Sequence, residues 1–315
     1  MLSMPCDVRL RIAVLSGGDS AEREISLRSG HAVAAALATA GHRATLVDPA
    51  ECTLDEVDWS TFDACFVALH GGAGEDGRVQ RQLEHLGVPY TGSGPRACQL
   101  AMSKSVAKER FVEFRVPTAP FVVIDAEDSQ EHVAQRVAEL GYPLIVKPDS
   151  QGSSLGVSFV EREEDLARAV AKSRHFDGTC IAEAFVRGRE FTVAVLDDRP
   201  LPLVEILSPE RVFSYEAKYA SSLTEYRFDF DLPATKRAEI LHAAVAAARA
   251  LATAGLARVD VMLGHDGGVW VLEVNTIPGM TPRSLASQAA LAAGIDMPTL
   301  CDLLVRQCLV TTGIS

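Results

Sequence analysis

The spacing at which apolar positions recur changes along the chain. Toward the N-terminus, Leu10–Leu15, Ala44–Val47 and Ala64–Leu69 are short, largely unbroken apolar runs, as in strands covered on both faces. The Ala-rich stretch Ala21–Ala40 and the patterns near Asp55–Val57 and at Val79–Leu86 have helical spacing. Strands alternating with helices predict a parallel α/β sheet, whose ligands gather beyond the carboxyl ends of its strands. The turn residues Tyr90-Thr91-Gly92-Ser93-Gly94-Pro95 then mark a boundary. Beyond it, a helix opens at Met102-Ser103-Lys104 and runs through Phe114. Pro120–Ile124, Pro143–Lys147, Val157–Val160 and Cys180–Phe185 read as short strands, separated by helical patterns at Ser129–Leu140 and Glu163–Lys172. That is the make-up of a smaller α+β unit. Ser208–Arg227 has weak periodicity and reads as a long loop, and Thr235–Ala254 as a long amphipathic helix whose alanines are packing material. The pattern predicts an α/β and α+β chain of three domains, over residues 1–95, 96–186 and 187–315.

Two Val-rich runs follow the last of these helices. Val259–Leu263 and Val269–Val274 bracket Asp266-Gly267-Gly268, a hairpin signal. Polar residues interrupt the runs at Asp260, Glu273 and Asn275. Glu273 and Asn275 are two apart and share a face of their strand, and a hairpin can set Asp260 opposite them. By themselves they fit better as the solvent-facing set of an antiparallel sheet. Three oxygen donors converging on an otherwise apolar face also suit a hard divalent cation, and Mg²⁺ fits best because it keeps waters and phosphates among its ligands. The continuation favours the cation. Thr276–Pro282 is a stiff, turn-rich loop leading to a helix that opens at Ser284, and backbone N–H groups at a helix N-terminus bind anions.

Composition narrows the classes. Of 315 residues, 48% are hydrophobic and 23% charged, ordinary for two or three packed units. The net charge of −12 speaks against a broad basic surface and so against general nucleic-acid binding. An anion such as ATP is still accommodated where a few lysines and a metal are focused. The 7 cysteines form no CxxC pair and mostly sit among apolar neighbours, as small core residues do. Scattered thiols point to a reducing compartment. Met1–Leu15 lacks the apolar core of a signal peptide, and charges break every Ala-rich run, so no span is apolar enough to cross a membrane. A cytoplasmic protein with neither a membrane nor a nucleic-acid partner is expected.

Further candidate chemistry lies at strand ends and in loops. Ser20 and Glu22 follow the first strand, and His70-Gly71-Gly72 the third. Lys104 opens a helix and Lys147 ends a strand. The loop after Lys147, Asp149–Gly156, carries small residues that let backbone N–H groups approach phosphate oxygens. Each has a plainer reading. Glu22 complements a helix dipole, His70 is a satisfied strand-end histidine, Lys104 is a helix-surface lysine, Glu183 is an edge-strand charge, Arg258 is an ion-pair partner, and Glu75-Asp76 are structural caps. Gly17-Gly18 does not match a dinucleotide fingerprint.

What separates these readings is the recurrence of several motifs together. They are Ser20–Glu24 (SAERE), Ala68–Gly77 (ALHGGAGEDG), Lys147 with its Gly-Ser-Ser loop, Tyr215–Tyr219 (YEAKY) and Arg258–Leu285. From Ile12 to about the last helix, the chain resembles the D-alanine–D-alanine ligase family of ATP-grasp enzymes. The resemblance implies a three-domain ATP-grasp architecture with an N-terminal parallel α/β domain. It implies that Glu22 holds the ammonium of the first D-alanine, that His70 lies on the substrate side, and that Tyr219 closes over that D-alanine through Ser153 and Glu22. Lys104, Lys147 and Lys218 are implied to meet the phosphates of ATP, Glu183 and Val186 to line the adenine slot, and Glu190 to take the ribose. Asp260, Glu273 and Asn275 are implied to hold Mg²⁺ or Mn²⁺, two ions in all. Arg258 and the backbone N–H of Gly279 are implied to stabilise a tetrahedral oxyanion, and Ser284 and Leu285 to take the carboxylate of the second D-alanine. Ser103 departs from the family, which usually has an aspartate before this lysine. The Lys218-Tyr219 pair, which depsipeptide ligases lack, favours an amine nucleophile.

The expected activity is ATP-dependent joining of two D-alanines through an acyl phosphate, for peptidoglycan precursor synthesis, by a homodimer. Another carboxylate–amine ligase of the same fold is the nearest alternative, and the set Glu22, Tyr219 and Ser284 argues against it. A non-catalytic nucleotide-binding regulator is expected to lose one of Asp260, Glu273 or Asn275, and all three are present.

Overall fold

A computed structural model describes residues 8–152, 155–208 and 224–311. Its N-terminal part follows the expected alternation: β1 (Arg11–Leu15), α1 (Arg23–Thr39), β2 (Arg43–Val47), β3 (Ala64–Val67) and α2 (Arg78–His85). The strands pair in parallel in the order β2-β1-β3. Central β1 buries Ile12, Ala13, Val14 and Leu15, which is why it reads as an unbroken apolar run. The pattern near Asp55–Val57 is one turn of 3₁₀ helix, Leu54–Glu56, held by a capping box between Thr53 and Glu56.

Next come α3 (Pro95–Met102) and α4 (Lys104–Glu113), in place of one helix opening at Met102. Ser103 separates them. Its backbone is extended and its hydroxyl accepts the Val106 N–H at 3.4 Å, so it N-caps α4. Serine and aspartate serve equally in that role, so the departure at position 103 keeps the cap.

A second sheet is built from β4 (Phe121–Ile124), β5 (Leu144–Pro148), β6 (Ser158–Val160) and β7 (Cys180–Ala184), antiparallel in the order β4-β7-β5-β6. Helices α5 (Gln130–Ala138) and α6 (Glu163–Asp177) pack on it through Val133, Val137, Leu166 and Val170. Because β7 lies inside this sheet, Glu183 is not an edge-strand charge.

The largest sheet follows, with β8 (Gly188–Leu196), β9 (Arg199–Pro200), β10 (Val204–Leu207) and β11 (Glu225–Arg227) preceding α7 (Ala234–Ala250). After α7 come β12 (Leu256–Gly264), β13 (Val269–Asn275), α8 (Leu285–Ala292) and α9 (Met297–Thr311). The strand order is β11-β10-β8-β12-β13, with β9 paired to β8. Strand β11 lies in a stretch expected to be loop. Its backbone pairs with β10, and Tyr226 packs against the core, which the polar composition of the stretch concealed.

The two faces of this sheet differ. Phe191, Val193, Val259, Val261, Val271 and Val274 share one core with Ala243, Ala244 and Ala247 of α7. Each fully buried Val or Phe contributes roughly 1.5–3 kcal/mol, enough to fix the register. On the other face, Ala194, Val204 and Leu256 join a core with Ile12, Val14 and Phe66 of the first sheet and Leu300 and Leu304 of α9. Further along that face, Thr192 is Cα-paired with Asp260, and Asp260 with Glu273. Polar residues begin where the core stops.

Val271 and Val274 are three apart yet reach the same core. The register explains it: Asp260 pairs with Glu273 but Val261 with Val271, so Leu272 is an extra residue, a β-bulge. The bulge resets the alternation, turning both valines inward and leaving Glu273 and Asn275 on the opposite face. Among the described residues, no single helix is long and apolar enough to cross a membrane.

Candidate active site

A cavity of about 760 Å³ opens where the polar face of the large sheet meets the strand ends of the first sheet. Glu22, His70, Lys104, Arg258, Asp260, Glu273, Asn275, Gly279, Ser284 and Leu285 all line it. Residues far apart in sequence are thus gathered around one cavity. Lys147, Glu183, Val186 and Glu190 do not line this cavity. Lys147 and Glu183 sit on the four-stranded sheet, Val186 in the link between β7 and β8, and Glu190 on β8, Cα-paired with Met262 and Ile206. Ser153, Lys218 and Tyr219 lie outside the described residues.

On the hairpin, Arg258 grips Asp260 with two parallel hydrogen bonds, Nε to Oδ1 at 3.0 Å and Nη2 to Oδ2 at 2.9 Å. Thr192 donates a third to Oδ1 at 2.6 Å. A carboxylate has about four lone-pair sites, so Asp260 keeps acceptor capacity. Asn275 Oδ1 accepts the Ile277 N–H at 2.9 Å, which shapes the start of the loop and uses one of its two lone pairs. Three hard oxygen donors on one sheet face, two of them with acceptor capacity left, fit a cation such as Mg²⁺.

The loop after β13 depends on a bare glycine. A Cβ at Gly279 would stand 2.8 Å from Ser284 Oγ, so a larger residue there would displace that hydroxyl. The Ser284 hydroxyl accepts the Thr281 N–H at 3.0 Å, and no side chain caps α8. An uncapped helix N-terminus facing a cavity presents N–H groups to an anion.

From the first sheet, Glu22 stands at the start of α1 and is 9% exposed. Gly71 makes room for its carboxylate, since a Cβ there would come within 3.1 Å of Oε2, and Gly152 lies against the other oxygen. Ser20 donates to the His70 carbonyl at 2.5 Å and accepts the Glu22 N–H at 3.1 Å. Two wholly buried serines one turn apart on α1 fasten this corner. Ser26 accepts the Gly17 N–H and donates to the Ala68 carbonyl, both at 2.8 Å. Ser29 Oγ lies 2.9 Å from His70 Nε2 and accepts the Met280 N–H at 3.2 Å. Sequence reasoning passed over both serines. Their signal was a pair of hydroxyls at i and i+3 on the buried face of an Ala-rich helix. Glu75, expected as a cap, instead lines the cavity with Oε1 3.8 Å from His70 Nδ1, whereas Asp76 does cap, accepting the Arg78 N–H at 3.0 Å.

Lys104 Nζ donates to the Gln151 carbonyl at 2.6 Å, and Asp149 accepts from Ser103 Oγ at 2.6 Å and the Ser105 N–H at 2.7 Å. The start of α4 is thereby clipped to the loop after β5. Deeper in, Glu183 bridges two ammonium groups, Lys147 at 2.6 Å and Lys108 at 3.0 Å. Burial pushes the Glu183 carboxyl up, but Lys147 and Lys108 outweigh it and hold it below the ordinary carboxylate value. Burial pushes Lys108 down, against the pull of Glu183. Sequence reasoning missed Lys108. A lysine four residues from Lys104 reads as a solvated helix position, and only its buried neighbours Ala107 and Phe111 hinted otherwise.

A parallel N-terminal sheet, a small lysine-bearing sheet and a large sheet whose polar, carboxylate-bearing face opens on a cavity have the make-up of an ATP-grasp enzyme, and solved structures agree. A D-alanine–D-alanine ligase from Bacillus anthracis complexed with ATP superposes with a TM-score of 0.83 at 30% identity, covering 96% of this chain and 99% of that one. The family model for the D-ala D-ala ligase C-terminus matches residues 111–306, and that for the N-terminus residues 49–93. The chain belongs to the D-alanine–D-alanine ligase family. It is 44% identical to the D-alanine–D-alanine ligase of Bordetella petrii over 94% of this chain and 91% of that protein. It is 39% identical to that of Pelotomaculum thermopropionicum over 97% and 98%.

Proposed function

We propose that this chain joins two D-alanines into D-alanyl-D-alanine with conversion of ATP to ADP and phosphate, in peptidoglycan precursor synthesis. One observation carries the reading: Arg258, Asp260, Glu273 and Asn275 open into the same cavity as Glu22 and the uncapped start of α8. Joining a carboxylate to an amine in water is uphill, so the carboxylate has to be activated. A carboxylate oxygen of the first D-alanine takes the γ-phosphoryl group of ATP, giving an acyl phosphate and ADP. The amine of the second D-alanine attacks the carbonyl carbon, and the tetrahedral oxyanion collapses with loss of phosphate.

Glu22 holds the ammonium of the first D-alanine beside His70. Arg258 and the Gly279 N–H face the oxyanion, a role worth about a hundredfold or more in rate per donor. Ser284 and Leu285, at the start of α8, take the carboxylate of the second D-alanine. Lys104, Lys147 and Lys218 neutralise phosphate charge, Glu183 and Val186 receive the adenine, and Glu190 the ribose. Mg²⁺ or Mn²⁺, two ions, held by Asp260, Glu273 and Asn275, supplies further neutralisation when bound. Ser153 and Tyr219 complete the contacts to the first D-alanine. The three stretches 1–95, 96–186 and 187–315 act as the substrate, nucleotide-clasping and catalytic domains of a cytoplasmic homodimer.

The test is ADP release by the purified protein with ATP and magnesium. Release is expected on adding D-alanine, with one dipeptide formed per ADP, and not on adding L-alanine. Equal release with both, or none with either, contradicts the proposal.

A further inference from the structure

Lys108 is wholly buried and heads the large side chains that are fully enclosed. Its ammonium donates to Thr118 Oγ1 at 2.6 Å, lies 3.0 Å from Glu183 Oε2, and sits 5.3 Å from the centre of the Phe121 ring. Two paths leave it. One runs through Glu183 to Lys147, joining β7 to β5. The other runs through Thr118, whose hydroxyl donates to the Val271 carbonyl at 2.9 Å, while the Pro117 carbonyl accepts the Val271 N–H at 2.8 Å. Val271 lies on β13, separated from Glu273 only by the bulged Leu272. One ammonium therefore connects the four-stranded sheet to the strand that carries Glu273 and Asn275.

Packing does not explain a lysine here. Desolvation of buried ions offsets much of their attraction, and replacing such a group of ions together by apolar residues of similar volume is often neutral or stabilising. Lys147 already neutralises Glu183, so Lys108 brings a surplus positive charge. What it adds is direction: Oε2 of Glu183 has no hydrogen-bond partner among the described residues, and the Lys108 ammonium 3.0 Å away is the charge set against it.

We propose that Lys108 is a positioning residue for the nucleotide, fixing the Glu183 carboxylate and the spacing between the Lys147–Glu183 pair and the Glu273–Asn275 strand. The inference rests on the assignment of Lys147 and Glu183 to ATP made above. It gives Lys108 no contact with the reacting atoms.

The test compares wild-type protein with Lys108→Met, Lys108→Arg and Thr118→Val. The readouts are ADP binding with magnesium by calorimetry, KM for ATP, KM for D-alanine, and melting temperature. Lys108→Met is expected to weaken ADP binding and raise KM for ATP by about tenfold or more, with KM for D-alanine moving less than twofold. Its melting temperature is recorded alongside and ADP binding is read on the folded protein, because removing one partner of a buried ion pair is ordinarily destabilising. Lys108→Arg restores part of the ADP affinity, and Thr118→Val, which cuts only the second path, gives a smaller loss in the same direction. A purely structural lysine lowers the melting temperature and leaves ADP binding by the folded protein unchanged, and that overturns the inference. If Lys108→Met does not fold, unchanged ADP binding by Thr118→Val and Lys108→Arg overturns it equally. Failure of the wild-type protein to bind ADP overturns the nucleotide reading itself, and the inference with it.

Discussion

Arg258 and Asp260, two residues apart on one strand, form a bidentate pair of 3.0 and 2.9 Å. The group assigned to the oxyanion thus orients a group assigned to the cation, and both roles depend on one planar fork. Arg258→Ala is expected to cut kcat by about a hundredfold or more while leaving ADP affinity nearly intact. It is also expected to raise the magnesium concentration needed for half-maximal rate, because Asp260 loses its orientation. Arg258→Lys keeps the charge without the fork and recovers little. Steady-state kinetics across a magnesium titration decides the matter, and unchanged turnover removes Arg258 from the role.

Ser29 carries the second prediction. Its oxygen serves His70 Nε2 and the Met280 N–H together, next to Gly279. Ser29→Ala leaves a buried N–H and a ring nitrogen without this partner, a cost of about 1–3 kcal/mol. Because His70 and the oxyanion loop shift together, kcat falls with stability. Urea denaturation and kinetics on the same preparation test this, and a stable variant with wild-type kcat contradicts it.

How much of this was legible beforehand depended on the range over which each signal is written. Strands and helices followed the local period, and the hairpin that sets Asp260 opposite Glu273 was readable from two Val-rich runs around a glycine turn. The bulge at Leu272 was not readable, since it exists only in the pairing of two strands. Without it, Val271 and Glu273 would share a face, whereas the structure separates them. Lys108 was hidden because a helix lysine is ordinarily solvated, and its partner Glu183 lies on a distant strand. The loop sequence does not reveal which of Glu75 and Asp76 turns toward His70, so both read as caps. The break at Ser103 left no periodic trace, being one capping residue between two helical runs.

Acid stability follows from the paired carboxylates. Asp302 is pushed up by burial, but hydrogen bonds from Arg306 and His42 outweigh this and hold it below the usual range. Asp48 is likewise pushed up by burial and held low by Arg23 and the N–H groups of Gly18 and Ala50. A carboxyl depressed in the folded state adds stability above its unfolded value, about 3.9, and loses it as pH falls through the folded value. Stability is therefore expected to drop below about pH 4, and Asp302→Asn to flatten that limb. Unfolding free energies from pH 2 to 6 check this. An unchanged slope for the variant contradicts the assignment.

Thiol reactivity gives an independent check on the packing. Burial pushes the thiols of Cys301 and Cys308 up to about 12, and those of Cys98 and Cys180 up to about 11. Cys52 is only partly buried, and no described cysteine lines the cavity. Among the described residues, a thiol reagent at pH 8 is expected to label Cys52 in the folded protein and the others only after denaturation, with activity retained. Rapid labelling of Cys98 with loss of activity contradicts this.

The central claim is that ATP activates a carboxylate for capture by an amine, and oxygen transfer tests it most directly. D-alanine labelled with ¹⁸O in its carboxylate is turned over with unlabelled ATP and magnesium, and the phosphate released is weighed by mass spectrometry. The account predicts one ¹⁸O atom in each phosphate, carried there when the acyl phosphate breaks. Dipeptide formed with unlabelled phosphate would contradict it.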